Sequence, residues 1–129
     1  MTADGRAPVS PREVCFLIGG EGQVLWSDAG PSPVALPDSR ARWEAIWARR
    51  GELVEIAHSH PIGPHAFSQE DRTTMAALDA ALGRRLRFSV VSPSGVVVRD
   101  AEGNETTTAR DPAEPAWVGE LRRRSGIKE

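Results

Sequence analysis

The chain has 129 residues, which is the length of one domain and too short for two domains with separate cores. Its net charge of −2 argues against a nucleic-acid binder that works through backbone electrostatics, and no apolar run is long enough to span a membrane. The first ten residues have no apolar core of the kind a signal peptide needs. The single cysteine excludes an internal disulfide and cysteine-rich zinc sites. We therefore expect a cytoplasmic protein without nucleic-acid or membrane partners.

The chain begins with a polar stretch, residues 1–12, which contains two prolines and is expected to be a flexible leader. A single domain is predicted over residues 13–125. Within it, the apolar run 14–18 predicts a strand covered on both faces. Glycine-rich turn residues separate this strand from residues 23–26, so the two segments are expected to pair as an antiparallel hairpin.

A helix is expected next, capped by Asp38 or Ser39 and running to about Arg50. Trp43 and Trp47 recur at helical spacing, four residues apart. A helix face that packs on a sheet needs large apolar side chains, so both tryptophans are predicted to pack in the core. A partner-binding patch is the alternative.

The most informative stretch follows the apolar run 53–57, which predicts a strand entering the interior. Side chains alternate faces along a strand, so His58 and His60 project the same way and Ser59 points to the other face. A proline-stiffened loop then leads to Ser68, three residues before Asp71. This Ser-x-x-Asp spacing is typical of a helix start, which places the carboxylate in the first turn.

Two imidazole nitrogens and one carboxylate oxygen make three protein ligands, which leaves the fourth position of a tetrahedral zinc ion for water. That arrangement is typical of a catalytic zinc site. Other divalent ions accept the same donors, so zinc is the first expectation rather than the only one. The two parts of this pattern also have ordinary interpretations. His58 and His60 can simply be histidines on a strand, and Ser68 with Asp71 can simply be a helix N-cap.

The remaining predicted elements are a helix over 69–82 ended by Gly83, strands over 86–92 and 95–99, a weak edge strand at 106–108, and a terminal helix over 116–124.

His58-Ser59-His60, seven residues, Ser68, two residues and Asp71 together match the signature of the JAMM (JAB/MPN, Mov34-type) zinc metalloprotease family. Upstream, Glu13-Val14-Cys15-Phe16-Leu17-Ile18-Gly19-Gly20 stands where the family has Glu-x-Cys-Gly-Leu-Leu-x-Gly. Over roughly residues 13–100 the chain resembles a prokaryotic minimal-core member. The resemblance implies an α/β fold with an MPN/cytidine-deaminase-like core, in which a mixed, mostly antiparallel sheet is flanked by helices.

The resemblance also implies a role for each site residue. His58, His60 and Asp71 would bind Zn²⁺, Glu13 would act as general base and then general acid, and Ser68 would hydrogen-bond the oxyanion. Glu13 lies 45 residues before His58, so spacing alone does not identify it. From the residues alone, a solvated glutamate at the start of a strand is the simpler interpretation.

Proteins similar to this family cleave after the C-terminal glycine of ubiquitin-like proteins, so the resemblance implies a deubiquitinase-like isopeptidase or peptidase. Its expected partners are a ubiquitin-like protein or its conjugate and E1/E2-like proteins from the same operon. Two alternatives stay open: a hydrolase that processes a sulfur-carrier fusion or a small amide, and a non-enzymatic MPN scaffold.

Two departures from the family pattern carry expectations. Members of the family usually have a strand and a helix before the glutamate, which the polar residues 1–12 are not expected to supply, and this favours a homo-oligomer or a partner contact. Phe16 occupies the usual glycine position, where its ring is expected to change how the substrate tail approaches.

Overall fold

The computed structural model describes residues 10–128, and in this part of the chain six strands and three helices occur. They are β1 (Val14–Gly19), β2 (Val24–Ala29), α1 (Arg40–Ala48), β3 (Leu53–Ser59), α2 (Gln69–Leu82), β4 (Arg87–Ser92), β5 (Gly95–Arg99), β6 (Glu105–Ala109) and α3 (Ala116–Arg124). None of these helices is long and apolar enough to cross a membrane.

The strands form one sheet in the order β2-β1-β3-β4-β5-β6. Only β3 and β4 pair in parallel, because α2 carries the chain from the end of β3 back to the start of β4, whereas every other neighbouring pair is antiparallel. The sequence-based expectation of an α/β fold with a mixed, mostly antiparallel sheet is confirmed.

Helices cover both faces of the sheet. Side chains from α1 and α2, such as Ile46 and Leu78, pack on one face together with Leu17 of β1. Leu121 of α3 packs on the other face with Phe16, the neighbour of Leu17. Successive residues of β1 point to opposite faces of the sheet, and each face is covered by a core. This strand is therefore apolar along its whole length.

One of the two tryptophans predicted to lie in the core is on the surface. Ile46 is buried and Trp43 packs partly against the core, whereas Trp47 is 54% exposed. Trp47 lies about 100° around the helix from Ile46, so its side chain points away from the helix face that packs on the sheet. The Arg50 guanidinium lies 4.1 Å from the centre of its ring. The core prediction was therefore wrong for Trp47.

The boundaries of the elements after β3 agree closely with the sequence. The second helix covers the predicted residues and ends at Gly83, whose φ of 70° is the left-handed conformation that glycine adopts most readily. The weak prediction at 106–108 falls within β6, an edge strand with exposed side chains. The terminal helix also has its predicted bounds, and Trp117 and Leu121 are both buried.

Residues 1–9 of the predicted leader lie outside the described residues. Just after them, the Arg12 N–H donates to the carbonyl of Ser125 at 3.1 Å. This bond joins the start of the described chain to the end of α3.

Arg122 holds α3 against the turn between β4 and β5. Its buried guanidinium donates to the carboxylate of Glu114 at 2.6 and 3.1 Å and to the carbonyls of Ser92 and Gly95. A buried cation of this kind is tolerated because it is paired and hydrogen-bonded.

We expect Glu114→Ala to lower the free energy of unfolding by about 2 kcal/mol or more, because it leaves the buried Arg122 charge without its partner. Urea denaturation would measure this change. Glu120→Ala is the matched control, since Glu120 pairs with Arg123 and Arg124 at the surface, and its loss should cost less than about 1 kcal/mol. Equal losses in the two variants would contradict the structural role given to Arg122.

Candidate metal centre

The site lies where the start of β1, the end of β3 and the start of α2 meet. The antiparallel register of β1 and β3 places Cys15 opposite His58, which brings the preceding Glu13 to the same end of the sheet. The backbone of Glu13 is itself fixed, because its N–H donates to Ser32 at 3.0 Å and its carbonyl accepts from Gly30 at 2.8 Å.

The two histidines at the end of β3 project from the same face, as predicted. Their ring centres are 4.8 Å apart and the rings are inclined at 72°. Asp71 lies across from both: its Oδ1 is 3.0 Å from His58 Nε2 and its Oδ2 is 3.5 Å from His60 Nε2. Ligand atoms bound about 2.0–2.1 Å from a tetrahedral zinc ion are themselves about 3.3 Å apart, so these separations fit the donor set of such a site.

The second nitrogen of each ring has a different environment. His60 Nδ1 lies 2.9 Å from the carbonyl of Pro64, so it carries the proton and leaves Nε2 free to bind a metal. His58 Nδ1 is 3.4 Å from Oε1 of Glu13, and this buried atom has no hydrogen-bond partner within residues 10–128. One imidazole therefore faces Asp71 with Nε2 and Glu13 with Nδ1.

The start of α2 holds Asp71 in place. The Ser68 Oγ accepts the backbone N–H of Asp71 at 3.0 Å, and the Ser68 N–H donates to Asp71 Oδ2 at 2.8 Å. This is the predicted capping box, with both of its bonds formed. Because the Ser68 oxygen acts as acceptor here, its hydroxyl proton stays available for a further partner.

The electrostatic environment of the site is negative and suits a cation. Burial tends to lower the pKa of His58, but the nearby carboxylates of Asp71 and Glu13 raise the pKa to about 9. Burial tends to raise the pKa of Asp71, but His58, His60 and the N–H of Ser68 hold the pKa of that carboxyl far below its usual range. Both carboxylates therefore stabilise positive charge at the histidines.

Two ligand sets share the histidines. The predicted set adds Asp71, which faces both Nε2 atoms. In addition, Glu13, His58 and His60 offer ligand atoms that all lie within 4.8 Å of one another, so these three residues could also hold a metal ion. Mixed imidazole and carboxylate donors are suited to zinc in either set.

Cys15 does not extend either ligand set. It is a buried free thiol, and burial raises its pKa to about 12. A metal-bound cysteine is a thiolate. The thiol is therefore a small core residue, as its place in an apolar run indicates.

Contacts behind the histidines were not predictable from the sequence. Ser59 points to the opposite face of β3, where its Oγ accepts the Val14 N–H at 2.9 Å and the Ser125 hydroxyl at 2.6 Å. Ser59 thus connects the histidine strand to the strand that follows Glu13 and to the end of α3. No spacing rule joins Ser125 to Ser59, because 66 residues separate them.

His65 fixes the loop between β3 and α2. Its Nδ1 lies 2.7 Å from the Oγ of Ser92, which is buried at the end of β4. No role for this histidine follows from the sequence, and here it attaches the loop to the sheet.

Phe16 does not meet the expectation attached to it. The side chain is fully buried in the core beneath α3, and the Arg124 guanidinium lies 5.1 Å from the centre of its ring. Since it points away from the face that carries His58, its ring does not stand in the path of a substrate. The expectation that it changes the approach of the tail was wrong.

A cavity of about 630 Å³ opens beside the histidines. One wall comes from α1 and the loop before it, and the other from α2; Cys15, Ile56 and Phe88 line it from the sheet. The loop wall depends on Gly30, since a Cβ there would lie 2.2 Å from the carbonyl oxygen of Ala35. The sequence did not predict this cavity, because it depends on how far apart the two helices lie.

The sequence profile of the family described as prokaryotic homologs of the JAB domain matches residues 3–111. The match covers most of the chain, which therefore belongs to this family, and the six-stranded sheet with its three helices is consistent with a JAB/MPN fold. A comparison with curated proteins finds no match. Family membership is compatible with a hydrolase.

We expect Ser59→Ala to lower the free energy of unfolding by about 1–3 kcal/mol, because the buried Val14 N–H loses its acceptor. Thermal or urea unfolding would measure this loss. Ser10→Ala is a suitable control, since Ser10 is exposed and this substitution should change stability by less than about 0.5 kcal/mol. A Ser59→Ala protein as stable as the control would show that the Val14 N–H finds another partner.

Proposed function

We propose that the protein is a zinc-dependent isopeptidase or peptidase that cleaves after the C-terminal glycine of a ubiquitin-like protein. The observation that carries this proposal is that the Asp71 carboxylate lies 3.0 Å from His58 Nε2 and 3.5 Å from His60 Nε2, with the buried carboxylate of Glu13 beside His58. A scaffold protein needs no such set of buried polar groups, which are costly to bury without a function.

In the proposed mechanism, His58 and His60 hold the metal through Nε2 and Asp71 holds it through a carboxylate oxygen. Bound zinc would lower the pKa of a water molecule to about 7 and polarise the scissile carbonyl. The Pro64 carbonyl fixes the ring of His60 through Nδ1, and the capping box fixes Asp71.

The buried carboxylate of Glu13, 3.4 Å from His58 Nδ1, supports a role for it as general base. Its carboxylate is only slightly exposed and faces the site from the start of β1. We propose that it accepts the proton of the attacking water and returns it to the leaving amine. The Ser68 hydroxyl would donate a hydrogen bond to the oxyanion of the tetrahedral intermediate.

The proposed substrate is an extended, flexible tail, because the site opens between the loop before α1 and the loop before α2. Under this proposal the partners are a ubiquitin-like protein or its conjugate, together with E1/E2-like conjugation proteins. A hydrolase acting on a small amide is the second candidate, and the cavity beside the histidines favours it, since such cavities of about 300–1,000 Å³ usually hold small ligands.

We expect the purified protein to bind one equivalent of zinc, and substitutions should decide between the two ligand sets. Asp71→Asn should abolish stoichiometric zinc if Asp71 is a ligand, whereas Glu13→Gln should retain it. Metal analysis of dialysed protein would measure both. Glu70→Gln, beside Asp71 but exposed, is the control for a general loss of acidic charge. The opposite result for the two variants would assign the metal to Glu13 instead.

We expect the zinc-loaded protein to cleave a ubiquitin-like protein with a C-terminal extension after its tail glycine. Glu13→Gln should lower kcat by at least about 100-fold, because the proton transfer loses its base. Mass spectrometry of the products would locate the cut.

The control for this experiment is a chelator-treated sample restored with zinc. Activity that survives both the chelator and Glu13→Gln would contradict the mechanism. Zinc binding without cleavage of any ubiquitin-like substrate would contradict the substrate class and leave the small-amide candidate.

A further inference from the structure

The cavity between α1 and α2 is continuous with the candidate metal centre. His58, His60 and Asp71 line one part of it, and the side chains farther in come from the core, namely Ile46, Met75, Leu78 and Phe88. A substrate bound at the histidines would therefore have an open apolar space next to it.

The interior of the cavity offers little to a charged group. The lining cation Arg42 is already paired, because its guanidinium donates to both carboxylate oxygens of Asp28 at 2.9–3.1 Å. The exposed acids Asp38 and Glu70 are the other charged groups that line it apart from the metal-centre residues. Deep inside, the lining is aliphatic, aromatic or thioether, so the cavity selects an apolar group.

Exposed apolar residues lie on both sides of the opening. Val34, which lines the cavity from the loop before α1, is 67% exposed. Ile62 is 65% exposed and belongs to the loop whose Gly63 and Pro64 line the opposite side. These two side chains add apolar surface at the opening of the cavity.

A glycine at the scissile bond cannot fill this space, because glycine has no side chain. We propose that the cavity is a specificity pocket for a bulky apolar side chain, of leucine or phenylalanine size, carried by a substrate residue within three positions of the scissile bond. This inference rests on the proposed function, since it concerns the substrate of the same site. It extends to the small-amide candidate, whose acyl or side-chain group would occupy the same pocket.

Thr74 and Thr73 provide a matched pair of variants. Thr74 of α2 is half-buried and lines the cavity, whereas Thr73 is exposed and its hydroxyl donates to the carbonyl of Gln69. Thr74→Phe should fill the pocket, and Thr73→Phe should add the same ring outside it. Thr74→Leu is a smaller substitution that keeps the test usable if the phenylalanine variant does not fold.

The first experiment measures kcat/KM for peptides with alanine, leucine or phenylalanine at each of the three positions on either side of a scissile glycine. We expect leucine or phenylalanine to be preferred over alanine by about 10- to 100-fold at one position. Thr74→Phe should remove this preference, whereas Thr73→Phe should retain it and should cleave the all-alanine peptide like the unsubstituted protein. Cleavage with no preference at any position would overturn the inference and leave the proposed function intact.

The second experiment needs neither zinc nor catalysis. The sequence contains two methionines, Met1 and Met75, and Met75 lines the cavity, so ¹³C-methyl labelling of methionine reports on it directly. In metal-free protein, an acetyl-leucyl-glycine amide should shift the Met75 signal saturably, whereas the acetyl-alanyl analogue should not. Met75→Leu assigns the signal, and Thr74→Phe should abolish the shift.

Peptide cleavage and the Met75 signal together distinguish a failure of the proposed pocket from a failure of the proposed function. A Met75 shift without any peptide cleavage would support the pocket and count against the proposed function. No shift with the leucyl amide at saturating concentration would overturn the pocket, whatever the activity of the zinc-loaded protein.

Discussion

The register between β1 and β3 is the constraint on which the site depends. With Cys15 opposite His58, Glu13 reaches the ring of that histidine, and both His58 and His60 lie on the face shared with α1 and α2. A slip of one residue would turn His58 and His60 towards α3 and separate them from Asp71. Burial of both faces of β1 fixes this register, because Phe16 and Leu17 each need their own core.

Behind the site, buried hydrogen bonds connect the neighbouring elements. Ser59 and Ser125 connect β3, β1 and α3 directly beneath the two histidines, and Arg12 joins the same cluster through its backbone. Hydrogen bonds are directional, whereas apolar contacts are not, so this cluster can fix the angle at which the histidine strand ends. The packing of α3 and the geometry of the candidate metal centre are therefore coupled.

Much of the fold was predictable because its signals are local. The bounds of α2 follow from Ser68 at one end and Gly83 at the other, and the alternation in His58-Ser59-His60 predicted which side chains share a face. Trp47, by contrast, was placed in the core because helical spacing does not say how wide the buried face is. The roles of Ser125 and His65 and the cavity beside the histidines depend on contacts between distant segments, for which a single sequence carries no signal.

The imidazole of His58 lies between two carboxylates, with Asp71 on the Nε2 side and Glu13 on the Nδ1 side. A rigid planar ring thus sets the separation between the group proposed to bind the metal and the group proposed to move the proton. Aspartate or cysteine at position 58 would supply a donor atom but no second nitrogen on the opposite side. The side chain at this position is for that reason a spacer as well as a proposed ligand, and it adds the width of a rigid ring to the separation that the strand register sets.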